Sequence, residues 1–383
     1  MTNQHLTERS PASESPSRRA LAKWVNPESR SMLFEIAVVC LAMGISEQVI
    51  RSADPRYAQH LFDQEYTGGS PIAVNAEGFR GPSVPKAKPQ GEFRVLALGD
   101  SVTFGTGVAV DQTWPAALER DLGKDRPTRV INAAVPATSL RDLAYGFERE
   151  FNGYDPDAVV LALTGNHVAL AWIRRDGEPK VPQNPQPSPA KGGLGEKTTE
   201  VKRWTKSLAL PSFLSLNTER FLYQIGVLQH HVDAKAPYGA LLAHGYRQLD
   251  LDPKLAEAAW QLAERDLAAL RDTVTQRGSK FYLTMAPARF MLSDAFADNE
   301  KAVQRERITI VPTERTKAMA ARLGVPFIDA DQALRAAREA GKASGKVPSL
   351  YLQGDYTHLD GEGAAVVAKA VAERLSSDRV VSR

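Results

Sequence analysis

Four short stretches of this 383-residue chain carry groups that could serve a covalent reaction. Gly99-Asp100-Ser101 offers a hydroxyl, and Asn132-Ala-Ala134-Val-Pro136 a loop of exposed main chain. Thr164-Gly-Asn166-His167 offers an amide and an imidazole, and Asp355-Tyr-Thr-His358 a carboxylate and a second imidazole. A serine hydroxyl is a poor nucleophile until a base accepts its proton, so Ser101 needs an imidazole. His358 is the candidate. Asp355, three residues earlier, would hold the other ring nitrogen and stabilise the imidazolium, which is the chemistry of acyl transfer through a serine.

Other chemistries fit the first stretch poorly. No lysine follows Gly105, as a phosphate-binding loop requires, and Gly105-Thr-Gly107 lacks the third glycine of a dinucleotide fingerprint. Thr103 stands where a G-x-S-x-G nucleophile elbow has its second glycine. Capping and turn formation remain the competing use of these polar residues. For His167 two roles stay open: lining a pocket, or capping the helix that follows it.

The elements between these stretches must position them. Phe93-Arg-Val-Leu-Ala-Leu reads as a strand ending at Gly99. Thr113 can cap a helix with Pro115 in its first turn, along which Trp114, Leu118 and Leu122 share a face. Val130-Ile131 is a short strand, and Leu140, Leu143, Phe147 and Phe151 mark the next helix. Ala158 to Leu163 is a wholly apolar strand. Leu255, Ala259, Leu262, Leu267 and Leu270 trace a long helix; Phe281 to Met285 and Val325 to Asp329 are further strands. A last helix follows Asp360, with Val367, Val371 and Leu375 on one face. Apolar strands alternating with helices predict an α/β fold with a parallel sheet covered on both sides. Ligands in such sheets bind beyond the carboxyl ends of the strands, which is where the polar stretches fall.

Composition narrows the function. The chain is 43% apolar and 24% charged, with a formal net charge of +3, and no Lys/Arg-dense patch points to nucleic acid. A single cysteine, Cys40, which reads as buried, excludes an intramolecular disulfide framework and cysteine-rich metal clusters. His230-His231 reads as an exposed helix face rather than a metal site, because no third ligand stands near it; no metal or cofactor is expected.

Residues 1–31 are rich in Ser, Pro and Arg, without period, and read as a disordered tail. Residues 32–50 (MLFEIAVVCLAMGISEQVI) form an apolar stretch with Glu35 and Glu47 near its ends. A membrane span needs roughly 20 mostly apolar residues, so the length is marginal. Arg18, Arg19, Lys23, Arg30 and Trp24 precede it. If it spans, the N-terminus is cytoplasmic and everything beyond Arg51 is extracytoplasmic, periplasmic or extracellular. An amphipathic helix packed on the body is the competing expectation. Residues 51–91 read as an extended approach, and the Pro-rich segment 176–250 as a long surface insertion within a body spanning 92–378.

On these motifs the chain resembles the SGNH/GDSL hydrolase family. Gly99-Asp100-Ser101 matches the first block, and Ala134 stands where the second block usually has glycine. Gly165-Asn166 matches the third, with His167 in place of the aspartate that commonly follows, and Asp355-x-x-His358 matches the last. Asn75-Ala-Glu-Gly-Phe-Arg-Gly81 is similar to a segment found in many bacterial members with an N-terminal anchor. The resemblance implies a three-layer α/β/α, flavodoxin-like sandwich. It further implies a Ser101–His358–Asp355 triad and an oxyanion hole built from the Ser101 and Ala134 N–H groups and the Asn166 amide. Losing one such donor typically costs about 3 kcal/mol of barrier. Ala134 keeps the N–H that glycine would provide. Arg80 would organise a loop beside the site, although a surface arginine is the simpler expectation. The implied activity is hydrolysis of an acyl ester, on a carbohydrate or lipid, at the membrane. Transfer of the acyl group to a polysaccharide hydroxyl and non-catalytic polysaccharide binding are the alternatives.

Overall fold

The computed structural model describes residues 27–53, 74–184, 249, 252–292, 312–352 and 357–378. Most of the expected N-terminal tail, most of the 176–250 insertion including His230-His231, and Asp355 lie outside the described residues. The chain divides into two compact units, one containing residues 1–58 and one containing the sheet and its helices.

In the first unit, Pro27–Ala53 forms helix α1, with Pro27 at a first-turn position that needs no amide hydrogen. Phe34, Ile36, Val39, Leu41, Met43, Ile45 and Val49 are all at least half exposed. Cys40 is exposed too, which corrects the expectation of a buried thiol: it stands on a helix whose apolar side chains are themselves exposed. Among the described residues, no helix is long and apolar enough to cross a membrane.

The second unit alternates strands and helices as follows: β1 Phe93–Gly99, α2 Ser101–Phe104, α3 Trp114–Leu122, β2 Thr128–Asn132, α4 Leu140–Arg149, β3 Ala158–Leu163, α5 Gly165–Ile173, α6 Pro253–Gln276, β4 Lys280–Met285, α7 Pro312–Arg322, β5 Phe327–Ile328, α8 Ala330–Ser344 and α9 Gly361–Ser377. The five strands are parallel, in the order β2-β1-β3-β4-β5. Period-two alternation sorts each strand's side chains between the two faces. Leu96, Leu98, Val159, Leu161, Phe281 and Leu283 meet α4, α5, α6 and α7 on one face. Phe93, Val95, Ala97, Val160, Ala162 and Tyr282 meet α3, α8 and α9 on the other. The protein is a three-layer α/β/α sandwich.

Two elements are shorter than their sequence suggests. Helix α4 stops at Arg149, and Phe151 opens a separate 3-10 turn through Tyr154. Asp155 precedes a proline, which disfavours helical backbone, and it adopts φ 48°. Phe151 still reaches the core. Strand β5 keeps only Phe327 and Ile328, because Pro326 offers no ladder donor and Asp329 turns away to cap α8 through Gln332 N–H.

The segment before β1 is stitched to the body. Phe79 and Val84 enter the core, and the fully buried Arg94 guanidinium donates to the carbonyls of Pro85, Lys86 and Tyr154.

Candidate active site

Strand β1 runs next to β2 on one side and β3 on the other, so the chain leaves it in one direction and later crosses to its opposite edge. The crevice beyond the carboxyl ends at such a reversal is where this sheet order binds ligands. The first three polar stretches leave β1, β2 and β3 there.

Ser101 begins the short helix α2 directly after β1. Asp100 caps it: its Oδ1 accepts from Val102 N–H at 3.0 Å. The tight strand-to-helix turn needs Gly99, whose φ is 151° and where a Cβ would lie 2.3 Å from Thr103 Oγ1. The turn closes with Gly105 and Thr106 N–H both donating to the Ser101 carbonyl.

His358 comes from the far end of the chain. It sits in a loop closed by an antiparallel bridge between Tyr351 and Leu359 and by Leu352 N–H donating to the His358 carbonyl. Asp360 then caps α9 through Gly363 N–H at 2.9 Å. This loop brings His358 Nε2 to 2.9 Å from Ser101 Oγ, across 257 residues of sequence. His358 is buried and Ser101 half-buried.

The two intervening loops face the same serine turn. Ala134 N–H donates to Asn132 Oδ1 over a long 3.3 Å. Asn132 Nδ2 in turn reaches the Thr103 carbonyl at 3.0 Å and the Phe104 carbonyl at 3.4 Å, tying the second loop to the turn that carries Ser101. Asn166, in the first turn of α5, donates its amide to Asp100 Oδ2 at 2.9 Å. Thr164 Oγ1 donates to the same oxygen at 2.5 Å.

His167 is fully buried, and its Nδ1 accepts from Thr164 N–H at 3.0 Å. Of its two open roles, the structure selects the helix cap: a third-position side chain reaching back to the N-cap amide. With Nδ1 accepting, the neutral ring carries its proton on Nε2, which has no partner among the described residues. Burial lowers its pKa, with the charge of Asp100 pulling the other way.

Arg80 is a correction. It is only 4% exposed rather than a surface side chain. Its guanidinium lies 4.7 Å from the centre of the Phe104 ring, and Nη2 donates to the Val108 carbonyl at 2.6 Å. Its main-chain N–H donates to the Asn132 carbonyl. The arginine is buried because the approach segment folds over the turn that carries Ser101, and an aromatic face suits a weakly hydrated guanidinium. Burial lowers its pKa.

Sequence reasoning missed two polar side chains. Asn132 read only as the start of a loop, yet it bridges that loop to the serine turn. Asn184, in the Pro-rich insertion, donates to both the Gly78 and Ala134 carbonyls. An asparagine at the carboxyl end of a sheet strand was a usable signal for the first; nothing local marked the second.

Several known proteins are similar to the chain. No curated protein matches the chain. Among solved structures, the acetyl xylan esterase AlAXEase is 14% identical, with a TM-score of 0.41, over 74% of this chain and 100% of its own. A catalytic mutant of Axe2, an acetylxylan esterase from Geobacillus stearothermophilus, is 14% identical with a TM-score of 0.40, over 76% of this chain and 96% of its own. A Desulfitobacterium hafniense protein described as lipolytic and of the G-D-S-L family is 12% identical with a TM-score of 0.37, over 73% of this chain and 98% of its own. The sequence model of the GDSL-like Lipase/Acylhydrolase family matches residues 97–366, well over half of the chain. The protein therefore belongs to the GDSL-like lipase/acylhydrolase family and is a serine hydrolase of acyl esters.

Proposed function

We propose that the protein cleaves its ester through an acyl-enzyme on Ser101, with His358 as general base and Asp355 as the partner of the imidazole, on an acylated envelope carbohydrate or lipid. The observation that carries this reading is the 2.9 Å approach of His358 Nε2 to Ser101 Oγ. For Ser101 to donate along it, His358 holds its proton on Nδ1, the side a carboxylate such as Asp355 would orient.

In the first half-reaction the Ser101 proton passes to His358 Nε2 while Oγ attacks the ester carbonyl carbon. The tetrahedral oxyanion is met by the Ser101 and Ala134 N–H groups and the Asn166 amide. In the resting enzyme Ala134 N–H is engaged at 3.3 Å, a long bond that a charge-assisted one to an oxyanion displaces. The imidazolium returns its proton to the leaving alkoxide oxygen as the ester C–O bond breaks. Water then repeats the sequence on the acyl-enzyme and frees the carboxylic acid.

The envelope location is supported by the outward-facing apolar side chains of α1. A helix apolar on several faces finds a matching solvent in lipid rather than water.

The test is labelling with a fluorophosphonate alongside turnover of acetyl and long-chain p-nitrophenyl esters. Wild type should label and turn over; Ser101→Ala should do neither while keeping its far-UV circular dichroism. His358→Ala should lose about as much as Ser101→Ala, because nucleophile and base act as a unit. A folded Ser101→Ala protein with wild-type turnover would sink the reading.

A further inference from the structure

We propose that Asp100 is a positioning residue that holds the Asn166 amide in the orientation an oxyanion donor requires. The inference rests on the reading of Asn166 as part of the oxyanion hole. Asp100 is fully buried, and both of its carboxylate oxygens already accept: Oδ1 from Val102 N–H at 3.0 Å and Oδ2 from Thr164 Oγ1 at 2.5 Å. The Asn166 atom 2.9 Å from Oδ2 is therefore the nitrogen, not the carbonyl oxygen. One amide N–H bound to Asp100 fixes the plane of the group and the direction of the second N–H.

Without that anchor the amide can turn over and present its oxygen where negative charge develops, replacing an attraction by a repulsion. Preorganised donors are the largest single contribution to such catalysis, and their value depends on not having to reorient during the reaction. The charge of Asp100 is no help in itself, since a carboxylate near a developing oxyanion opposes it. Its contribution is geometric. Thr164 completes the arrangement: it binds Asp100 through its hydroxyl and immediately precedes helix α5, whose first turn carries Asn166.

The variant Asp100→Asn is nearly isosteric but can offer only one acceptor oxygen. It cannot serve Val102 on one side and Thr164 with Asn166 on the other. The test is a double-mutant cycle of Asp100→Asn and Asn166→Ala on p-nitrophenyl acetate, with Ser101→Ala as the inactive reference. Asn166→Ala should lower kcat by roughly 100-fold or more with little change in KM. Asp100→Asn should lower kcat at least about 10-fold, also with KM nearly unchanged. The double variant should fall within about 3-fold of Asn166→Ala alone, because both changes remove one interaction.

Losses that multiply would mean Asp100 acts independently of Asn166, and an Asp100→Asn enzyme as fast as wild type or faster would also overturn the proposal. If Asp100→Asn fails to fold, Asp100→Ser replaces it in the cycle. That variant keeps an acceptor for Val102 N–H, loses reach to Asn166, and is held to the same outcomes. A Ser101→Ala protein with full turnover would overturn the hydrolytic reading instead, whatever the cycle shows.

Discussion

His167 shows how a residue of catalytic type can be wholly committed to structure. Its Nδ1 caps the helix that carries Asn166, and its burial disfavours the charged ring. Folding therefore lowers its pKa below the unfolded value of about 6.5. As pH falls through that value the unfolded chain takes up a proton that the folded one resists, so stability present above about pH 6.5 is lost on acidification. The slope from one such group is at most roughly 1.4 kcal/mol per pH unit. His167→Gln retains a side chain able to complete the capping box but cannot titrate. Its melting temperature should fall less steeply than that of wild type between about pH 6.5 and 5. Identical slopes would show that another group carries the acid sensitivity. Arg80 is also buried near the serine turn, with Nε and Nη1 lacking acceptors among the described residues. Replacing it by Lys removes the guanidinium that lies over the Phe104 ring, so Arg80→Lys is not a conservative change here.

At the scale of elements, the site depends on how closely α9 docks beneath the His358 loop. Gly363 lies in the first turn of α9, and a Cβ there would come within 2.0 Å of the Leu350 carbonyl oxygen. That oxygen accepts from Asp360 N–H, next to the bridge that closes the loop. Gly363→Ala must push helix and loop apart, an overpacking that typically costs about 1–3 kcal/mol. The expected outcome is a melting temperature lower by roughly 2–10 °C together with a reduced kcat, since His358 moves with the loop. Wild-type values for both would show that the loop yields without disturbing the imidazole. The crossovers make the same point on the other side of the serine: Asn132 and Asp100 each tie the turn after β1 to the loop after a neighbouring strand.

Across the whole molecule, the described residues form one unit that carries the chemistry and another whose main feature is α1. The hydrophobic surface of the sheet and its helices is accounted for within the catalytic body. The apolar side chains of α1 are not buried in this way. Removing residues 1–53 should therefore leave a body with the wild-type melting transition and esterase kcat/KM. On the proposed envelope location, the full chain should sediment with membranes. Full-length protein recovered in the soluble fraction would refute membrane attachment, and a truncated chain that no longer folds would make α1 part of the core.

The sequence alone determined the layered α/β class and most element positions, because period-two and 3.6-residue apolar patterns follow directly from which faces are buried. It also singled out Ser101, Asn166 and His358, since hydroxyl, amide and imidazole side chains stood at strand ends where a parallel sheet presents its ligand site. Tertiary structure decided what depends on distant segments meeting. The serine–imidazole approach joins the two ends of the catalytic body. His167 and Arg80 were assigned their places by burial, which no local pattern reports. Asn132 and Asp100 acquired their partners only when parallel strands aligned their carboxyl ends, because a side-chain hydrogen bond across 29 or 66 residues is fixed by sheet register and not by neighbours in the chain.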